Sequence, residues 1–226
     1  MTDATEDAMT RTARELLETT AGELAPDPGS NPLVPLIARG EADRAVLTAL
    51  ALEQRRVIPA DRRAFLHLAE RADPESAAYF TALAEGEALA AGHLETFAAA
   101  CGADGARADA YVPLPGCQSY PAYVAWLALN ANPSDVVLAL TVNFSAWGGY
   151  CATIAKALRT RYGFGDEACA FFDFFAEPAP GLDRAAVQAV RTALEEGRLD
   201  EKRARRYADL LQTYEAMFWA TLREHA

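Results

Sequence analysis

Glu215 stands in the run Tyr214-Glu215-Ala216-Met217-Phe218-Trp219, a carboxylate among bulky apolar neighbours. Turned inward, such an acid loses hydration and its pKa rises, which suits it to proton transfer or to pairing with a cationic ligand. Asn143, Trp147 and Tyr150 follow one another at spacings of four and three, so they share one helix face. An amide in such an apolar stretch either orients a ligand or bonds a neighbouring helix. Glu53, beside Gln54 in an apolar segment, is a second candidate inward acid, exposure being the alternative. Rings crowd the second half of the chain, Tyr120, Phe144 and Phe175 among them. They serve as core, as a pocket wall, or as both, because rings bury large area while the tips of Tyr and Trp still need polar partners.

Metal chemistry has little to draw on. The chain holds three histidines, His67, His93 and His225. Glu85 and His93, eight apart, roughly share a helix face, whereas Glu87 and His93, six apart, do not. His67 and Glu70, three apart, face one side. With no histidine from 94 to 224, a site drawn from both halves would be almost all carboxylate, so no metal and no cofactor is expected. Cys101, Cys117, Cys151 and Cys169 form no C-x-x-C and read as buried free thiols. A formal net charge of -11 argues against nucleic acid or an anionic membrane as partner. The basic run Lys202, Arg203, Arg205 and Arg206 follows Glu195, Glu196, Asp200 and Glu201, and reads as a solvated face with cations set among acids.

These residues need helices to position them. Fifty of the 226 residues are alanine, and helix propensity dominates nearly everywhere. The expected fold class is all-α, a single helical bundle of about 8–9 helices with residues 1–226 as one domain. Met9, Ala13, Leu16, Leu17 and Leu24 make a stripe on a first helix over 5–24, ended by Pro26, Pro28 and Gly29. A short helix over 32–38 stops at Gly40. Helices over 43–57 and 59–72 are divided at Pro59, and Asp73-Pro74-Glu75 caps a long one to about Ala100. The stretch 101–117 reads as the longest loop. Helices over 120–131 and 133–162 follow, the latter capped by Asn132, apolar around most of its circumference and therefore central. Segments over 167–175, from Leu182, and over 199–223 complete the chain. The acidic N-terminus lacks a secretory h-region, and no spanning run of about 20 apolar residues is read, so a cytoplasmic location is expected.

Three segments resemble the TenA/thiaminase II group of the haem-oxygenase-like superfamily, which also holds PqqC-type and helical di-iron oxidases. Asn31-Pro32-Leu33-Val34, leading through Ile37 and Gly40 to Glu53-Gln54, is similar to that group's opening segment. Tyr120, 23 residues before Asn143 in Ala139-Leu140-Thr141-Val142-Asn143, matches the spacing of a pocket tyrosine and a downstream cysteine segment. Tyr214-Glu215 followed by Phe218-Trp219 resembles the closing helix that carries the group's acid/base glutamate. The resemblance implies a haem-oxygenase-like bundle, a dimer or tetramer, catalysis by Glu215, and substrate contacts from Glu53, Tyr120, Asn143, Trp147 and Phe175. Asn143 or Ser145 stands at the cysteine position, and Glu53 or Gln54 at a family aspartate. Asparagine forms no covalent intermediate, so a preserved pocket with an altered reaction is implied, on a small aromatic or amine-bearing substrate. The alternatives are an inactive ligand-binding or interaction protein, and an oxidase of the same superfamily, carboxylate-rich and metal-dependent or cofactor-free. The histidine-rich motif of the di-iron members is missing around Glu177 to Asp183.

Overall fold

The computed structural model describes residues 2–26, 31–103 and 105–225, with side chains from residue 12 onward. Met9, Pro28 and Gly29 of the expected first helix and its stop lie outside the residues whose side chains are described. Ten helical segments and no strand occur among the described residues: α1 (Thr2–Glu23), α2 (Val34–Arg39), α3 (Arg44–Arg71), α4 (Pro74–Ala100), α5 (Gly105–Ala110), α6 (Pro115–Asn130), α7 (Pro133–Arg161), α8 (Asp166–Ala176), α9 (Pro180–Glu195) and α10 (Glu201–Glu224). Two of these, α2 and α5, are six-residue turns, so the bundle itself rests on the eight longer helices.

Local chemistry sets the helix starts and stops. The Asn31 side chain accepts from the backbone N–H of Leu33 and of Val34 ahead of α2, which ends at Gly40 with φ of 76°, a left-handed conformation that glycine adopts without a Cβ clash. Asp73 accepts from Ser76 N–H with Pro74 in the first turn of α4, and Asn132 does the same for α7 through Ser134 N–H. Two expected boundaries are corrected. Pro59 does not divide two helices; α3 runs through it for 28 residues. Proline there removes one backbone donor, but Val57, Ile58, Ala64, Phe65 and Leu68 are buried on both sides of it, and tertiary packing outweighs the local cost. The stretch expected as a loop contains α5 and the first turn of α6.

The core forms two apolar clusters. One gathers α2, the first half of α3, the ends of α4 and α7, and α8. The other gathers α1, the second half of α3, the starts of α4 and α7, α6 and α9. Tyr120 on α6 packs against both. The helix α7 is central, lying against α1, α2, α4, α8, α9 and α10. By length and composition alone it is apolar enough to cross a membrane, which corrects the expectation that the chain has no such run. In the bundle, residues 136–140, Val142, Cys151, Ile154 and Leu158 of α7 are buried against other helices. The basic run on α10 is set among acids as expected, Arg203 beside Asp200 and Arg205 beside Glu201, but it is not simply a solvated face: Arg203 also pairs with buried Asp135 of α7, and Arg205 with Glu23 of α1.

Candidate active site

Where the two apolar clusters meet, near the midpoints of α3, α4 and α7, the bundle holds a cavity. Its volume is about 50 Å³, less than a ring-sized ligand fills, so the side chains of the wall must give for such a ligand to enter. Phe144, Trp147, Phe175 and Phe218 supply the apolar wall; Gln54, Asp61, Glu87, Tyr120, Asn143 and Glu215 supply polar groups. Trp147 meets Phe175 edge-on and lies tilted against Trp219, with centroids 5.8 and 5.9 Å apart. Edge-on and tilted ring contacts of this kind hold the wall in place.

Glu215 is 8% exposed and its carboxylate is held from two sides. Asn143 Nδ2 donates to Oε2 at 2.7 Å, and Trp219 Nε1 donates to Oε1 at 3.2 Å. Asn143 is fixed in turn, its Oδ1 accepting from the Tyr120 hydroxyl at 3.0 Å. Three helices therefore contribute one chain of donors, Tyr120 to Asn143 to Glu215. Burial lifts the Glu215 pKa to about 7, against the pull of the Trp219 and Asn143 hydrogen bonds. Burial also pushes the Tyr120 phenol well up, with Asp61, Glu215 and Glu87 adding to the effect, so Tyr120 stays a donor.

Four of the five expected substrate-contact residues line one cavity with Glu215: Tyr120, Asn143, Trp147 and Phe175. The fifth, Glu53, is fully buried but points elsewhere. It accepts from Tyr111 Oη and Leu114 N–H at 2.7 Å each and from Gln118 Nε2 at 2.6 Å, pinning the segment before α6 to α3. Gln54 faces the cavity instead. Asn143 is in the cavity, whereas Ser145 is exposed and donates to Val142 O. Cys117, Cys151 and Cys169 are buried and Cys101 half-buried; burial raises all four thiols, which keeps them from acting as thiolates.

Asp61 and Glu87 are site residues the sequence reading did not place in the pocket. Asp61 is seven residues from Gln54 and four from Val57, so a continuous helix sets all three on one stripe; the break expected at Pro59 hid that register. Glu87 was weighed only as a partner for His93, which is exposed on α4 beside Phe174. Among the described residues no group of three His, Cys, Asp or Glu side chains is arranged to hold a metal ion. Haem is not fitted either: His67 lies 3.9 Å from Glu70 at the surface, and none of the three histidines faces the cavity.

No family model matches the sequence, and no curated protein matches it. Solved structures do. A domain of unknown function with a heme oxygenase-like fold from Shewanella denitrificans OS217 superposes with a TM-score of 0.68 at 15% identity, covering 92% of this chain and 89% of its own. A TenA homologue from P. horikoshii OT3 superposes with a TM-score of 0.64 at 14% identity, covering 96% of this chain and 99% of its own. The chain has the heme oxygenase-like fold, as the three sequence segments led us to expect. Within that fold, a TenA homologue is among its structural neighbours along nearly the full length.

Proposed function

We propose that this protein is a TenA-like enzyme acting on a small aromatic or amine-bearing molecule, with Glu215 as the acid/base group. One observation carries the reading: the Glu215 carboxylate lies in a ring-lined cavity, oriented by Asn143 and Trp219 and shifted to about 7 by burial. Near neutral pH such a group is present in both protonation states, so it can take a proton from a bound substrate and return it. Tyr120 holds the Asn143 amide in one orientation, which keeps the carboxylate aimed. Phe144, Trp147 and Phe175 offer flat faces to an aromatic ring and exclude water. Thiamin hydrolysis through a thiolate is not part of this reading, because Asn143 occupies the inner position and no cysteine lines the cavity among the described residues.

The same absence of a nucleophile favours a second reading, a ligand-binding protein on the same fold without turnover. The partner in either case is a small molecule, with no role for nucleic acid or membrane. A cytoplasmic homodimer or homotetramer completes the reading, and light scattering on the eluted peak checks its mass.

The test begins with mass spectrometry of compounds retained by the purified protein, followed by incubation of any retained aromatic amine with wild type and Glu215→Gln. We expect both proteins to bind it and turnover to fall about 100-fold or more in the variant. Equal turnover by Glu215→Gln overturns the assignment of Glu215, and binding without conversion by the wild type favours the second reading.

A further inference from the structure

We propose that Asp61 and Glu87 form a cation subsite in the cavity, one that binds an ammonium or amidinium group of the ligand and gives up a proton to solvent as it does so. The inference rests on the reading of this cavity as a ligand site. Asp61 comes from α3 and Glu87 from α4; they are 4% and 7% exposed and both line the cavity. Asp61 Oδ1 and Glu87 Oε2 are shielded from solvent yet have no hydrogen-bond partner.

Among the buried carboxylates of the described residues, that is the exception. The other buried carboxylates of the described residues are supplied with donors: Glu53 with three, Asp135 with Asp200 N–H and Arg203, Glu215 with Asn143 and Trp219. A buried carboxyl left without donors is costly, and such costs persist at functional sites. Both residues border the cavity, so their unpartnered oxygens lie next to the space a ligand would fill. Among the described residues no Lys, Arg or His lines the cavity, so a positive charge has to arrive with the ligand.

The titratable groups facing the cavity are Asp61, Glu87, Tyr120 on α6 and Glu215 on α10; α7 and α8 contribute only uncharged side chains. Burial pushes Asp61 up to about 8, and burial together with the charge of Asp61 raises Glu87. The two carboxyls titrate as a pair and hold proton near pH 7. A cation docked between them replaces that proton.

Calorimetric titration at pH 7 with benzylamine, and with benzyl alcohol as its neutral counterpart, tests the proposal. Each is run in phosphate and in Tris, whose ionisation enthalpies differ. The expected result is at least tenfold tighter binding of benzylamine, with release of about half a proton to one proton. Asp61→Asn/Glu87→Gln, close in shape to the parent, is expected to abolish both the preference and the release while still binding benzyl alcohol; the single Asp61→Asn serves if the double variant does not fold. Binding of both probes with no preference for the amine overturns the subsite and leaves the ligand cavity standing. So does a preference that survives in Asp61→Asn/Glu87→Gln and disappears in Glu215→Gln. Failure of both probes to bind overturns the cavity reading and the subsite with it.

Discussion

Glu53 and Glu215 look alike in the sequence, each an acid in an apolar stretch, and their surroundings assign them opposite work. Glu53 has three donors converging on it from Tyr111, Leu114 and Gln118, enough to satisfy a buried carboxylate as a structural tie. Glu215 has two donors and an open cavity beside it. Glu53→Ala is expected to lower stability by about 3 kcal/mol, because the segment before α6 loses its anchor, and to leave binding by the cavity nearly unchanged; urea unfolding and a ligand titration measure the two effects separately. A large loss of affinity with intact stability would restore Glu53 as a substrate contact. What made Glu215 legible was the pair Phe218 and Trp219, three and four residues on and therefore on its own helix face; Met217 in the same run is exposed. The role of Glu53 was not legible, since its donors come from positions 58, 61 and 65 residues away.

Helix positions decide whether these side chains meet. Caps were readable at Asp73 and Asn132 because a polar acceptor followed by proline satisfies the first turn locally. Pro59 misled for the opposite reason: its cost is local, whereas what overrides it, the burial of Ile58, Phe65 and Leu68, is tertiary. With that register lost, Asp61 was lost too. The crossing of α6 over α10 depends on Gly116, where an added Cβ would lie 1.9 Å from Thr221 Oγ1 and 3.0 Å from Thr221 Cβ. Gly116→Val is therefore expected to destabilise the fold by about 1–3 kcal/mol, seen as a lower urea midpoint. Thr221→Ala in the same chain should recover part of the loss; no recovery would mean that the two helices do not meet there as described.

At the scale of the whole molecule, the cavity leaves a signature in stability. Glu215, Asp61 and Glu87 all bind protons more tightly in the folded chain than ordinary carboxyls do, first of all because they are buried. Between about pH 4 and the raised values near 7 and 8, the native state holds more protons than the unfolded state, so stability falls as pH rises through that window. Glu215 alone contributes on the order of 3 kcal/mol to that fall. The melting temperature is expected to drop steadily from pH 5 to pH 8.5, and to drop less in Asp61→Asn/Glu87→Gln. A flat profile in the wild type would show that these carboxyls titrate as exposed ones. The bundle itself was legible from alanine content and helical spacing. The meeting of two apolar clusters around a polar midsection was not, because it depends on which helices pair.

The claim that Glu215 is a poised acid/base group is tested most directly by its own titration. In protein labelled with 13C at the glutamate carboxyl carbons, the signal absent from Glu215→Gln identifies the residue, and its chemical shift is followed from pH 4 to pH 9. A midpoint near 7 is expected. A midpoint near 4.5, the ordinary value for glutamate, would contradict it.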